Sequence, residues 1–87
     1  MENNVFKQSI NFRIRDIAKK SILIGDGEAY YLNSTAICIW DNIDGQTDFN
    51  TLVRIVEETF ESKKEINKKE IENFIKFLIE KNAVELV

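Results

Sequence analysis

Residues Glu28 to Gln46, EAYYLNSTAICIWDNIDGQ, limit the possible folds more than any other stretch of the chain. An apolar strand, Ala29-Tyr30-Tyr31-Leu32, runs without a linker into a helix that opens at Asn33 or Ser34. Either residue caps well, because its side-chain oxygen accepts from a backbone N–H that the first helical turn leaves unpaired. The helix then carries Ala36, Ile39, Trp40 and Ile43 on one face, the spacing of a buried stripe, and stops at Asp44-Gly45. Glycine ends a helix readily, since the left-handed closing conformation costs it no Cβ clash. Residues before this seam alternate like β-structure, and residues after it repeat like helix.

Upstream, residues 1–8 are polar and read as a loose start, with Val5 and Phe6 free to dock elsewhere. From Ile10 the chain alternates: Ile10, Phe12 and Ile14 fall on one side, Asn11, Arg13 and Arg15 on the other. Period two with β-branched and aromatic residues marks a half-buried strand. Ala18-Lys19-Lys20 makes a polar turn, and a second strand runs from Ser21 to Gly25. Asp26-Gly27, between two apolar runs, suits a two-residue type I′ turn, whose positive φ angles these residues tolerate. With those two as the loop, Gly25 faces Glu28, Ile24 faces Ala29, Leu23 faces Tyr30 and Ile22 faces Tyr31. One face then holds Leu23, Tyr30 and Leu32, and the other holds Ile22, Ile24, Ala29 and Tyr31. Both faces are apolar. Helices packed on one side cover only one of them, so part of the other calls for a different cover.

Downstream, Thr47 is a good cap for a second helix, which sets Phe49, Leu52, Val53, Val56 and Phe60 along one core-facing stripe. Ser62-Lys63-Lys64-Glu65 is the loop that ends it. The third helix has a full start signal: Asn67 as cap, Glu70 three residues on as in a capping box, and Ile66 and Ile71 at the staple positions. It runs to about Lys81, where Asn82 can take the left-handed closing conformation, and Ala83 to Val87 can add a short extended tail. The order is β-β-β-α-α-α. This is an α+β domain, with an N-terminal three-stranded antiparallel sheet followed by three helices in a helix-turn-helix-like core.

Composition narrows the function. A chain of 87 residues points to one domain with a modest core. With no histidine and one cysteine, it lacks Ser-His-Asp and Cys-His catalysis, HExxH zinc sites and any internal disulfide. No Asp-x-Asp-x-Asp-Gly run offers a calcium loop. Neither a cofactor nor a metal nor enzymatic activity is expected. A net charge of −3 lacks the basic excess that phosphate contacts demand, so nucleic acid is not an expected partner. No apolar run reaches the roughly 18 residues of a membrane span. The opening MENNVFKQ has neither the basic region nor the apolar core of a signal peptide. The cytoplasm is the expected compartment, with no membrane partner.

Two features are candidates for binding. On the third helix, Ile71, Phe74, Ile75 and Leu78 form the core stripe, with Phe77 to one side and Ile79 to the other. Either a small domain buries this wide stripe, or one flank, with Asn73, Phe74 and Phe77, lines a groove. The strand Glu28–Leu32 is the edge of a simple meander, yet Ala-Tyr-Tyr-Leu has no lysine, proline or bulge to blunt it. Either a helix or the tail shields that edge, or it accepts a peptide by strand addition. Cys38, opposite the apolar face of its helix, reads as a small packing residue without a partner base, and Trp40 reads as core. Arg13, Arg15, Lys19 and Lys20 form a small basic patch, either solvated surface or a contact for an acidic partner. The Lys63-Lys64 and Lys68-Lys69 pairs read the same way.

The run Tyr31-Leu32-Asn33-Ser34-Thr35-Ala36, then Ile37 and Trp40, then Asp44-Gly45-Gln46-Thr47, resembles the PqqD-like proteins, peptide chaperones or recognition elements for ribosomally made, modified peptides. The resemblance implies a winged-helix-like domain with its sheet at the N-terminus and no catalytic role. It also implies that the leader of a precursor peptide adds a strand beside Glu28, Ala29, Tyr30, Tyr31 and Leu32, in a groove bounded by the third helix. There Phe74 or Phe77 would receive an apolar anchor beside Asn73, and Lys69, Lys76 or Lys81 would meet a leader carboxylate. The implied partners are the leader peptide and a modifying enzyme, such as a radical SAM protein or a lasso-peptide protease or cyclase. The apolar outer sheet face is available for enzyme docking or for a homodimer. The rival reading is a winged-helix DNA-binding transcriptional regulator that turns Lys68, Lys69, Lys76 and Lys81 toward phosphates. The acidic total and the interspersed Glu70, Glu72 and Glu80 weigh against it.

Overall fold

The period-two pattern before the seam produces the expected strands. In the computed structural model, which describes residues 1–60 and 68–87, β2 (Phe12–Ile17), β3 (Lys20–Gly25) and β4 (Glu28–Leu32) form an antiparallel sheet in the order β2-β3-β4. Gly25 pairs with Glu28, Ile24 with Ala29, Leu23 with Tyr30 and Ile22 with Tyr31, the register that the Asp26-Gly27 turn dictates. Both turn residues have positive φ, 49° and 79°, as type I′ requires. The β2–β3 turn is equally tight. Ile17 pairs with Lys20, so Ala18 and Lys19 alone make the loop, at φ 53° and 68°. Phe12 is buried against Gly25. A Cβ added there would sit 2.6 Å from the Asn11 carbonyl oxygen and against the Phe12 ring, so this position takes only glycine without displacement.

Helix α1 (Ser34–Asp41) opens on Asn33, whose side chain accepts from the Ala36 N–H at 2.9 Å, and buries Ile39 and Trp40. Helix α2 (Phe49–Phe60) buries Phe49, Leu52, Val53 and Val56, and α3 (Lys68–Glu80) buries Ile71, Ile75 and Leu78. Asn82 closes α3 at φ 66°. The loop expected at Ser62 to Glu65, the Asn67 cap and the Ile66 staple position lie outside the described residues. No helix among the described residues is long and apolar enough to cross a membrane.

The segregated β-β-β-α-α-α order is corrected by a second sheet. Val5–Gln8 is not a loose start but β1, the central strand of a sheet ordered β5-β1-β6, with β5 at Asp44–Asp48 and β6 at Val84–Leu86. A strand thus stands between α1 and α2, and another comes after α3. The reason is long-range pairing: Phe6 lies opposite Leu86, Gln8 opposite Val84, and Val5 opposite Asp48. The expected tail strand is present, because β1 gives it a partner. Helix α1 ends at Asp41 with Asn42 as its cap, so Ile43 lies beyond it and Asp44-Gly45 starts a strand instead of stopping the helix. The β1–β5 register shifts between Val5 and Lys7, and Gly45 sits in that irregular stretch at φ 83°. Thr47 is not the α2 cap. Asp48 is, its carboxylate accepting from the Thr51 N–H at 2.9 Å, while Thr47 donates to Asp44. Ile10 does not join Phe12 on the buried face. It stands in the β1–β2 turn, 98% exposed, where alternation no longer applies.

One cluster of buried side chains joins both sheets to the three helices. Phe6 and Val84 from the second sheet, Leu23 and Leu32 from the first, and the helix stripes all belong to it. Gln8 ties the sheets' junction to α1 by donating to the Trp40 carbonyl at 2.8 Å. The second sheet closes this core around Phe6 on the inner side of the first sheet, while Ala29 and Tyr31 on the outer side are exposed.

Candidate functional site

β4 is an edge strand of its sheet, so one row of its backbone N–H and C=O groups has no strand partner among the described residues. Alternation turns Glu28, Tyr30 and Leu32 toward the helices and Ala29 and Tyr31 away. Leu32 is buried, Tyr30 half-buried and Tyr31 73% exposed. The Tyr30 ring meets Phe77 of α3 edge-on, with centroids 5.3 Å apart and planes at 84°. Phe77 in turn lies nearly parallel to Phe74 at 6.4 Å, and Lys81 Nζ stands 5.8 Å from the Phe77 centroid. An aromatic run therefore crosses from the open strand to one flank of α3. Tyr30 Oη donates to the Glu28 carboxylate. That bond, then burial, then the carboxylate's charge favour the neutral phenol, and its pKa is pushed up to about 12.

Past Phe74 the run ends in a cavity of about 350 Å³ between α1 and α3. Ile39 and Ile71 form its floor, both almost fully buried, with Ala36 and Phe74 as walls and Asn33, Thr35 and Glu70 at its polar rim. The small residues Thr35 and Ala36 in the first turn of α1 leave this space. Sequence reasoning assigned Asn33 and Glu70 to capping and Ile39 and Ile71 to the core. The signal it passed over is a pair of small residues facing a helix rich in large ones.

The structure brings Tyr30, Phe77, Phe74 and Lys81 together along one flank of α3, with Glu28 bonded to Tyr30, whereas Leu32 is buried in the core. Asn73 borders that flank, one turn before Phe77, and is exposed. Lys69 is exposed a further turn back. Lys76 is turned about 100° around the helix from Phe77 and pairs with Glu72 at 3.3 Å. The hydrogen bond from Lys76, with the charges of Lys76 and Lys69, holds the Glu72 carboxyl below its ordinary range. Ala29 and Tyr31 lie on the opposite face of the sheet, so only their backbone adjoins the groove. Cys38 is half-buried against the core, 3.9 Å from the Asn42 amide. Among the described residues, no three His, Cys, Asp or Glu side chains are grouped to hold a metal ion.

The sequence profile of coenzyme PQQ synthesis protein D (PqqD) matches residues 18–84 of the 87. The chain belongs to the PqqD family. The span shared with PqqD takes in β3, β4, β5 and all three helices, and so the whole of the groove and cavity. β1 and all of β2 lie before it. No curated protein and no solved structure matches the chain significantly.

Proposed function

We propose that this PqqD-family chain is a non-catalytic peptide-binding protein. It captures the leader segment of a ribosomally made precursor peptide and delivers it to a modifying enzyme, such as a radical SAM protein or a lasso-type protease or cyclase. The observation that carries this reading is the open edge of β4 beside the aromatic run Tyr30–Phe77–Phe74. A peptide that adds a strand to such an edge gains backbone hydrogen bonds, and alternate side chains enter whatever lies beside the strand. Here that is an aromatic groove leading to an apolar-floored cavity of about 350 Å³, room for a large aliphatic or aromatic anchor. Lys81 at the Phe77 rim suits a leader carboxylate next to that anchor.

Chemistry of the chain supports a carrier rather than a catalyst. With no histidine and one cysteine, it has no nucleophile–base pair of the usual kinds. The DNA-binding reading gains nothing from the geometry: Lys68 is paired with Glu2 and Lys76 with Glu72 on the helix that would have to meet phosphates. Amide-shift mapping during titration with the cognate leader tests the proposal. Shifts concentrated on residues 28–32 and on Phe74, Phe77 and their neighbours are expected. Shifts confined to α1 and α2 would overturn the site.

A further inference from the structure

We infer that the face of the β2-β3-β4 sheet turned away from the helices is a docking surface for a second protein whose contact surface is apolar at its centre and rimmed by carboxylates. The pairing rows set Arg15, Ile22 and Tyr31 side by side, and Arg13 beside Ile24. Tyr31 is 73% exposed, and Lys20 Nζ lies 5.4 Å from the centre of its ring. The face thus combines half-exposed isoleucines, an exposed tyrosine and three cations. Aromatic residues and arginine at the centre of an apolar patch are the composition that marks protein interfaces.

The charge on this face is one-sided for a structural reason. The carboxylates of these three strands, Asp16 and Glu28, fall on the alternate positions and face the other way. Asp16 accepts from Ser21 at 2.8 Å and Glu28 accepts from Tyr30, each on that other side. Among the described residues, Arg13 and Arg15 form no ion pair. The chain as a whole is acidic, at −3, and has three arginines, two of which stand here. A shallow depression lined by Lys19, Lys20, Tyr31 and Ile37 extends the patch toward the start of α1. These cations await carboxylates from outside the chain.

This geometry separates the acidic partner from the alternatives. A second copy docked face to face would bring Arg13, Arg15 and Lys20 against the same cations, with no carboxylate on that face to relieve them. Nucleic acid would need a broader cationic field than a few residues in a net-acidic chain, and would leave the isoleucines without a counterpart. The strand β4 would then serve two partners at once: its edge and its inner side chains face the groove, while Tyr31 faces the docking surface. This surface stands independently of the leader-peptide reading, because the groove and the outer face share no side chain.

The test uses the full chain, followed by amide shifts, with a stapled amphipathic helix whose leucine stripe is bordered by glutamates. Its lysine-bordered counterpart, a short DNA duplex and the chain alone over a concentration series complete the set. The glutamate helix is expected to shift Arg13, Arg15, Ile22, Ile24 and Tyr31. Arg13→Glu with Arg15→Glu is expected to weaken it about tenfold, and the milder Arg13→Gln with Arg15→Gln less. Both arginines are exposed strand residues, so these changes leave the core intact. Phe77→Ala, which addresses the leader groove, is expected to leave this binding unchanged. No binding of the glutamate helix, binding indifferent to the arginine changes, stronger binding of DNA at the same residues, or self-association through Ile24 and Tyr31 would each overturn the inference.

Discussion

Replacing Phe77 with alanine separates a binding groove from a merely wide core. Phe77 is half-buried, packs against the core, and holds ring contacts with Tyr30 at 5.3 Å and Phe74 at 6.4 Å. Truncating a fully buried phenylalanine costs about 3–5 kcal/mol, so a half-buried one costs roughly 2, including an edge-to-face pair worth about 0.5–1.5. A domain of 87 residues has roughly 4–13 kcal/mol in total at typical per-residue stability. The variant therefore folds, and urea unfolding followed by Trp40 fluorescence should register the loss. If Phe77 also anchors a leader side chain, binding falls by about 2 kcal/mol more, roughly 30-fold, because desolvated anchors carry most of an interface's energy. Fluorescence anisotropy with a labelled cognate leader measures this without urea, at a temperature where both proteins are folded. Lys76→Ala is the control: exposed and paired with Glu72, it is expected to change affinity less than about fivefold. A variant that loses stability but binds the leader as before would refute the groove, as would a larger loss from Lys76→Ala than from Phe77→Ala.

The packing sets three further outcomes. Phe6→Ala should cost about 3–5 kcal/mol by urea unfolding, since Phe6 is only 3% exposed in the central strand of the second sheet; a loss below about 0.5 kcal/mol, the range of surface substitutions, would mean β1 is not part of the core. Gly25→Ala should destabilise by about 1–3 kcal/mol through overpacking, because the new Cβ would meet the Phe12 ring and lie 2.6 Å from the Asn11 oxygen; an unchanged melting temperature would refute that close approach. Asp44 and Asp48 both titrate below the ordinary 3.8, Asp44 chiefly through the Gln46 N–H and Asp48 chiefly through the Thr51 hydroxyl. Depressed carboxyl values stabilise the fold above the unfolded pKa, and that contribution is lost as pH falls through the lower folded values. Asp44→Ala with Asp48→Ala should therefore lower the melting temperature at neutral pH and flatten its decline below about pH 4; an unaltered acid limb would contradict the assignment.

What could be read from the chain alone was local. Asp26-Gly27 and the period-two runs on either side determine the β3–β4 register, because a two-residue loop with positive φ leaves one pairing and a one-residue slip would turn Leu23 and Leu32 to solvent. The stripes of α2 and α3 and the Asn33 cap were likewise legible, each resting on residues within a few turns of one another. The edge character of β4 came from the same order of strands. The second sheet was not legible. Val5–Gln8 and Asp44–Asp48 are short and largely polar, and they become strands only because Phe6 meets Leu86 and Val5 meets Asp48 across long stretches of chain. Strand formation depends on a partner, which no local pattern contains. Tertiary packing also decided which flank of α3 faces the open strand. The sequence offered Phe77 on one side of the stripe and Ile79 on the other; with Ile71, Ile75 and Leu78 at the buried centre, the helix turns Phe77 toward Tyr30 and leaves Ile79 exposed.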